Sequence, residues 1–170
     1  DIAFTSVADL KHMIDAKELS IVEIVEYFFN RIDELNPKLN VFLALCREEA
    51  MEQAATQQEA LEKGVLQGKL SGIPISIKDL EMTKGIVTTL GSVVFKDRVP
   101  TYDSVVVERV KNEGAIILGK TNTPEFGQSG TTENKLGDAC RNPWDISRTA
   151  GGSSGGAGSG VAAGLFPCLL

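Results

Sequence analysis

Asp103-Ser-Val-Val-Val-Glu-Arg-Val-Lys-Asn-Glu-Gly-Ala-Ile-Ile-Leu118 carries two periodicities in succession. Val106, Val107 and Val110 fall at helical spacing behind Asp103 as N-cap, and Gly114 is the stop, which predicts a helix over 104–113. Residues 115–118 are then continuously apolar, the pattern of a strand covered on both faces in a parallel sheet. Upstream, Gly64, Gly68 and Gly72 loosen the chain before Ile73, Ile75 and Ile77 alternate with Pro74, Ser76 and Lys78, a strand with two distinct faces. Strand, helix, strand predicts an α/β fold.

The residues before this unit read as helical. Ser6 caps a first helix over 7–15, with Val7, Leu10 and Ile14 on one stripe. Ser20 and Glu23 form a capping box for a second, whose Val25, Phe28, Phe29, Ile32 and Leu35 line one face and which Pro37 is expected to stop. Residues 41–45 read as a short strand, and 48–63 as a helix closed by Gly64. After the central unit, 121–150 reads as polar irregular chain, and glycine occupies seven of the fourteen positions from Gly151 to Gly164. No internal repeat and no Pro/Ser linker divides the chain, so one domain or part of one is the economical reading.

Composition narrows the function classes. The 170 residues are 42% apolar and 24% charged, with 17 basic against 23 acidic side chains spread along the chain. Disorder and coiled coil are excluded, and with no basic patch, nucleic acid is not an expected partner. No apolar run reaches the roughly 20 residues of a membrane helix, so no membrane partner is expected and the cytoplasm is the default location. Cys46, Cys140 and Cys168 have no paired spacing, and His12 is the single histidine, on an early helix at an expected surface position. A metal site is therefore not expected, and neither is a Ser-His-Asp or Cys-His mechanism. The chain opens on Asp1 rather than Met and closes on the apolar stretch 165–170, which suggests a fragment.

Two patterns point toward nucleotides. Gly114-Ala-Ile-Ile-Leu-Gly-Lys-Thr121 matches G-x-x-x-x-G-K-[ST], but its inner residues are themselves the strand, whereas a phosphate loop follows a strand and opens a helix. Gly158-Ser-Gly-Val-Ala-Ala163 fits the relaxed dinucleotide fingerprint without an apolar strand to feed it. A nucleotide-binding module using residues 114–121 is the alternative from another class. Two features suit serine chemistry better. Gly151-Gly-Ser-Ser-Gly-Gly156 is either a flexible linker or a loop whose glycines admit unusual backbone angles and bring N–H groups close to a reacting oxygen. Lys78 either points into water from an exposed strand face or, if buried, loses proton affinity and becomes a neutral amine able to take a proton from serine.

These residues resemble the amidase signature family of serine amidohydrolases. The resemblance rests on Gly72-Ile-Pro-Ile-Ser-Ile-Lys-Asp79, on residues 114–123 followed by Pro124-Glu-Phe-Gly127, on Arg141-Asn-Pro-Trp-Asp145, and on Gly151-Gly-Ser-Ser-Gly-Gly156 in that order. It implies an amidase signature fold, a mixed central β-sheet covered by helices, of which residues 1–170 would be the N-terminal part of a single amidase domain: 1–63 mainly helical, 70–170 the start of the signature core. It further implies hydrolysis of a carboxamide to a carboxylate and ammonia or amine through an acyl-enzyme, with no cofactor and no metal. Lys78 would be the general base and Ser153, on a cis peptide bond, the serine that relays its proton. Gly127, Ser129 and Ser153 would line the substrate, with Gly151, Gly152 and Ser154 supporting the loop. The family's nucleophilic serine and oxyanion donors would lie beyond Leu170, so the isolated chain is expected to be inactive and, with a cut sheet and Leu165, Phe166, Leu169 and Leu170 exposed, marginally stable or aggregating. Within the family, Thr123-Pro-Glu-Phe-Gly127 looks more like the stand-alone amidases than the glutamine-hydrolysing A subunit of tRNA-dependent amidotransferases, where Met-Asp-Glu-Phe is usual; the latter is the alternative. The expected partners are a small-molecule amide and either a second copy in a homodimer or the other amidotransferase subunits.

Overall fold

A computed structural model describes residues 2–170. Helices α1 (Val7–Asp15), α2 (Ile21–Leu39) and α3 (Arg47–Glu62) precede and flank strand β1 (Phe42–Leu45). Strand β2 (Pro74–Lys78), helix α4 (Val105–Asn112) and strand β3 (Ile116–Thr121) form the central unit. A hairpin of β4 (Arg141–Asn142) and β5 (Asp145–Thr149), helix α5 (Gly155–Ala162) and the short strand β6 (Cys168–Leu169) complete the chain.

The main sheet runs β1-β3-β2-β6, with β1 antiparallel to β3 and both β3 and β6 parallel to β2. This is the mixed α/β sheet that the sequence predicts; α3 and α5 pack against it, and α2 packs on α3. Ile24, Val25, Phe28, Phe29 and Ile32 of α2 join Ile73, Ile75, Ile77, Ile116 and Leu118 of the sheet in one core. The predicted caps of the first helices are present: Ser6 accepts from Asp9 N, and Ser20 and Glu23 satisfy each other's backbone N–H.

Five local expectations are corrected. Pro37 does not stop α2, which runs to Leu39 and ends on Asn40 at φ +52°. A proline three residues from a helix end deletes one hydrogen bond, and Asn36 Oδ1 compensates nearby by accepting from Val41 N and Phe42 N. β2 lacks two distinct faces, because Pro74, Ile75, Ser76 and Ile77 are all buried between two parallel neighbours. Ser104, not Asp103, stands at the N-cap position of α4, without a side-chain capping bond; the Asp103 carboxylate accepts instead from Lys84 N and Lys111 Nζ. The irregular stretch 121–150 contains the β4–β5 hairpin. Leu165 and Phe166 are buried rather than exposed, with Phe166 set edge-on against Phe42.

Candidate active site

Parallel strands present their C-terminal ends on one side, and the loops beyond those ends are the usual place for chemistry in α/β sheets. Here β2 ends on Lys78 and β3 on Thr121. The chain after β3 and the glycine loop 151–154 meet above them. Thr132 Oγ1 donates to Gly151 O at 2.8 Å and accepts from Gly155 N at 3.1 Å, while Thr123 Oγ1 donates to Ser153 O at 3.1 Å. A Cβ on Gly152 would stand 2.8 Å from Ser129 O and 2.9 Å from Thr131 N, so only glycine lets the two loops approach this closely. The Gly152–Ser153 peptide bond is cis.

That loop sets two hydroxyls against one amine. Lys78 Nζ lies 2.7 Å from Ser153 Oγ and 2.8 Å from Ser154 Oγ. Partial burial lowers the Lys78 pKa from its ordinary value, against the opposing pull of the Glu81 carboxylate. Of the two sequence readings of Lys78, the water-facing strand face is set aside. An amine with reduced proton affinity, in contact with a serine hydroxyl, has the geometry of a base and its relay.

The other sequence-predicted residues fall around this contact. Ser154, expected only to support the loop, touches Lys78 directly. Gly127, at φ +69°, packs beside Leu80 and Ser153. Ser129 is exposed at the rim, its hydroxyl engaging Thr131 and its carbonyl closing on Gly152. Sequence reasoning missed Thr123 and Thr132, which hold the loop from a polar stretch without periodicity, and it missed the buried pair Asp79–Lys120.

Both nucleotide patterns fail structurally. Residues 114–121 include the fully buried strand β3, and Lys120 is held by Glu81, Thr83 and Thr88 rather than open to a phosphate. Gly158 and Gly160 sit inside α5, not in a turn that precedes a helix. Burial pushes the thiols of Cys46, Cys140 and Cys168 up to about 11, so each is protonated at neutral pH. Among the described residues no group of His, Cys, Asp and Glu is placed to hold a metal ion, and no helix is long and apolar enough to cross a membrane.

The profile of the Amidase family matches residues 23–169. The chain belongs to the amidase signature family. The match begins inside α2, so the family likeness covers helical residues that the sequence motifs alone leave unassigned. Among curated relatives, the A subunit of the glutamyl-tRNA(Gln) amidotransferase of Alkaliphilus metalliredigens (strain QYMF) is 40% identical over 97% of this chain and 34% of its own length. That of Azoarcus sp. (strain BH72) is 44% identical over 95% of this chain and 33% of its own. Among solved structures, a bacterial aryl acylamidase of the amidase signature family superposes with a TM-score of 0.92 at 33% identity, over 98% of this chain and 35% of the other. The chain thus spans about a third of the length of the relatives it matches.

Proposed function

We propose that these residues are the base-and-relay part of a serine amidohydrolase, and that the whole protein hydrolyses the carboxamide of glutamine as the glutaminase component of a tRNA-dependent amidotransferase. The observation that carries the chemistry is the 2.7 Å contact between Lys78 Nζ and Ser153 Oγ. In this reading neutral Lys78 takes the Ser153 proton while Ser153 Oγ takes that of the attacking serine, supplied by a part of the family fold outside these 170 residues. The serine oxygen bonds to the carbonyl carbon, the proton returns along the relay to the leaving nitrogen, and ammonia departs from an acyl-enzyme. Water then adds to the ester and releases glutamate. Identities of 40% and 44% to the amidotransferase A subunits, against 33% to the aryl acylamidase, support glutamine as the amide.

A second reading, a stand-alone amidase, is favoured by one local feature: Thr123-Pro124 stands where the amidotransferase proteins usually carry Met-Asp. One assay separates the two. Ammonia release from glutamine by the full-length protein, with and without the partner subunits of an amidotransferase, is compared with hydrolysis of a simple anilide. Glutaminase activity that rises with partners supports the amidotransferase reading; anilide turnover without any glutaminase overturns it. Loss of both activities on Lys78→Ala is expected in either case.

A further inference from the structure

Lys120 is a lysine with 0% side-chain exposure that the proposed reaction does not use. Its Nζ donates to Glu81 O at 2.6 Å, Thr83 Oγ1 at 2.9 Å and Thr88 Oγ1 at 2.8 Å. The hydroxyls direct their own protons elsewhere, Thr83 to Glu81 O and Thr88 to Ile86 O, so each can only accept from Lys120. Three N–H groups are required, and the nitrogen is an ammonium. Burial brings its pKa down to about 8, which leaves it protonated at neutral pH. The opposing charge is Asp79, whose Oδ1 lies 3.7 Å away without a hydrogen bond and whose Oδ2 accepts from Thr89 N and Thr89 Oγ1.

What this ammonium holds is the chain that leaves Lys78. Glu81 N donates to Lys78 O at 3.0 Å, which closes a turn on Lys78, and the carbonyl of that same Glu81 is the acceptor closest to Lys120. Asp79 N donates to Thr121 O, and Leu90 N donates to Asp79 O. Residues 79–90 therefore fold back around the buried pair, with the proposed base at one end. Register pairs Ile77 with Lys120 and Lys78 with Thr121, so the Lys120 side chain leaves the sheet on the face opposite to that of Lys78. Any influence on Lys78 runs through the backbone. An ion pair this buried contributes little as a stabiliser, since apolar side chains of similar volume do as well or better.

We infer that Lys120 is a positioning residue: its three hydrogen bonds lock the turn that aims Lys78 Nζ at Ser153 and shelters the amine from water. The inference rests on Lys78 acting as the base. The titratable groups on the elements around Lys78 are Glu81 in the turn, Asp79, Lys120 on β3, Cys168 on β6 and Glu125 in the loop after β3. The glycine loop and α5 add no ionisable side chain. Glu81 and Glu125 are each held by a serine, Ser104 and Ser92.

The test uses the full-length protein and its amide substrate. Thr88→Val removes one acceptor without a change of size, and the double variant Asp79→Asn/Lys120→Met removes the ammonium without leaving an unpaired buried charge. Both are expected to lower kcat with little change in KM, the double variant by on the order of 10- to 100-fold, as misaimed catalytic groups do. In both, the rise of kcat/KM with pH should move to higher pH, because a resolvated Lys78 holds its proton more strongly. A role in stability alone lowers the melting temperature and leaves that rise in place. A folded double variant with unchanged kcat and pH profile overturns the inference; if it does not fold, an unchanged profile in Thr88→Val does so. Lys78→Ala, run alongside, separates the two claims: full activity there removes the base itself, whereas an inactive Lys78→Ala beside a normal double variant removes only the positioning role.

Discussion

Lys78 is where a small change in environment has the largest chemical consequence. Its proton affinity is lowered first by partial burial, and the nearby Glu81 carboxylate pulls the other way. The base form is the neutral amine, so activity should rise with pH along a limb whose midpoint lies below the ordinary lysine value of about 10.4. A kcat/KM profile of the full-length protein reads this directly, and a limb at or above that value contradicts the reading. Lys78→Ala is expected to cost on the order of 10²- to 10⁴-fold in rate, the usual contribution of a positioned base. The sequence left Lys78 ambiguous for a physical reason. Its burial depends on Ser153 and Ser154, more than seventy positions along the chain, and no local pattern reports such a contact.

Elements separate into those set by local chemistry and those set by packing. The start of α2 was legible because Ser20 and Glu23 satisfy orphan N–H groups within one turn, an interaction that needs no other part of the molecule. Asp103 misled for the opposite reason: Lys84 and Lys111 compete for its carboxylate from outside the helix start. α5 is a packing element, and at Gly155, Gly156 and Gly160 its neighbours come too close for side chains. A Cβ on Gly156 would stand 2.5 Å from Asn122 N and 2.7 Å from both Asn122 O and Val41 O, all backbone atoms that cannot turn aside. Gly156→Ala should therefore destabilise the fold by about 1–3 kcal/mol despite its better helix propensity. Urea denaturation checks this, and a neutral or stabilising outcome contradicts the close approach.

At the scale of the whole molecule, apolar surface is distributed unevenly. Trp144, the single tryptophan, is 85% exposed at the tip of the β4–β5 hairpin, near exposed Ile146 and Phe4, and Leu169 on the edge strand is exposed as well. A preparation of these 170 residues is expected to self-associate through such surface. Its tryptophan emission should shift to the blue and lose iodide quenching as protein concentration rises; unfolding independent of concentration argues against this. The sequence by itself determined the fold class, the order of helices and strands as far as β3, and the two segments that carry Lys78 and Ser153, because periodicity, capping and glycine clustering are properties of neighbouring residues. Only the tertiary structure decided that Lys78 meets Ser153, that Thr123 and Thr132 hold the glycine loop, and that Lys120 is a sealed ammonium rather than a phosphate ligand. Those facts depend on desolvation and on hydrogen bonds between distant segments, which exist only once the sheet has brought them together.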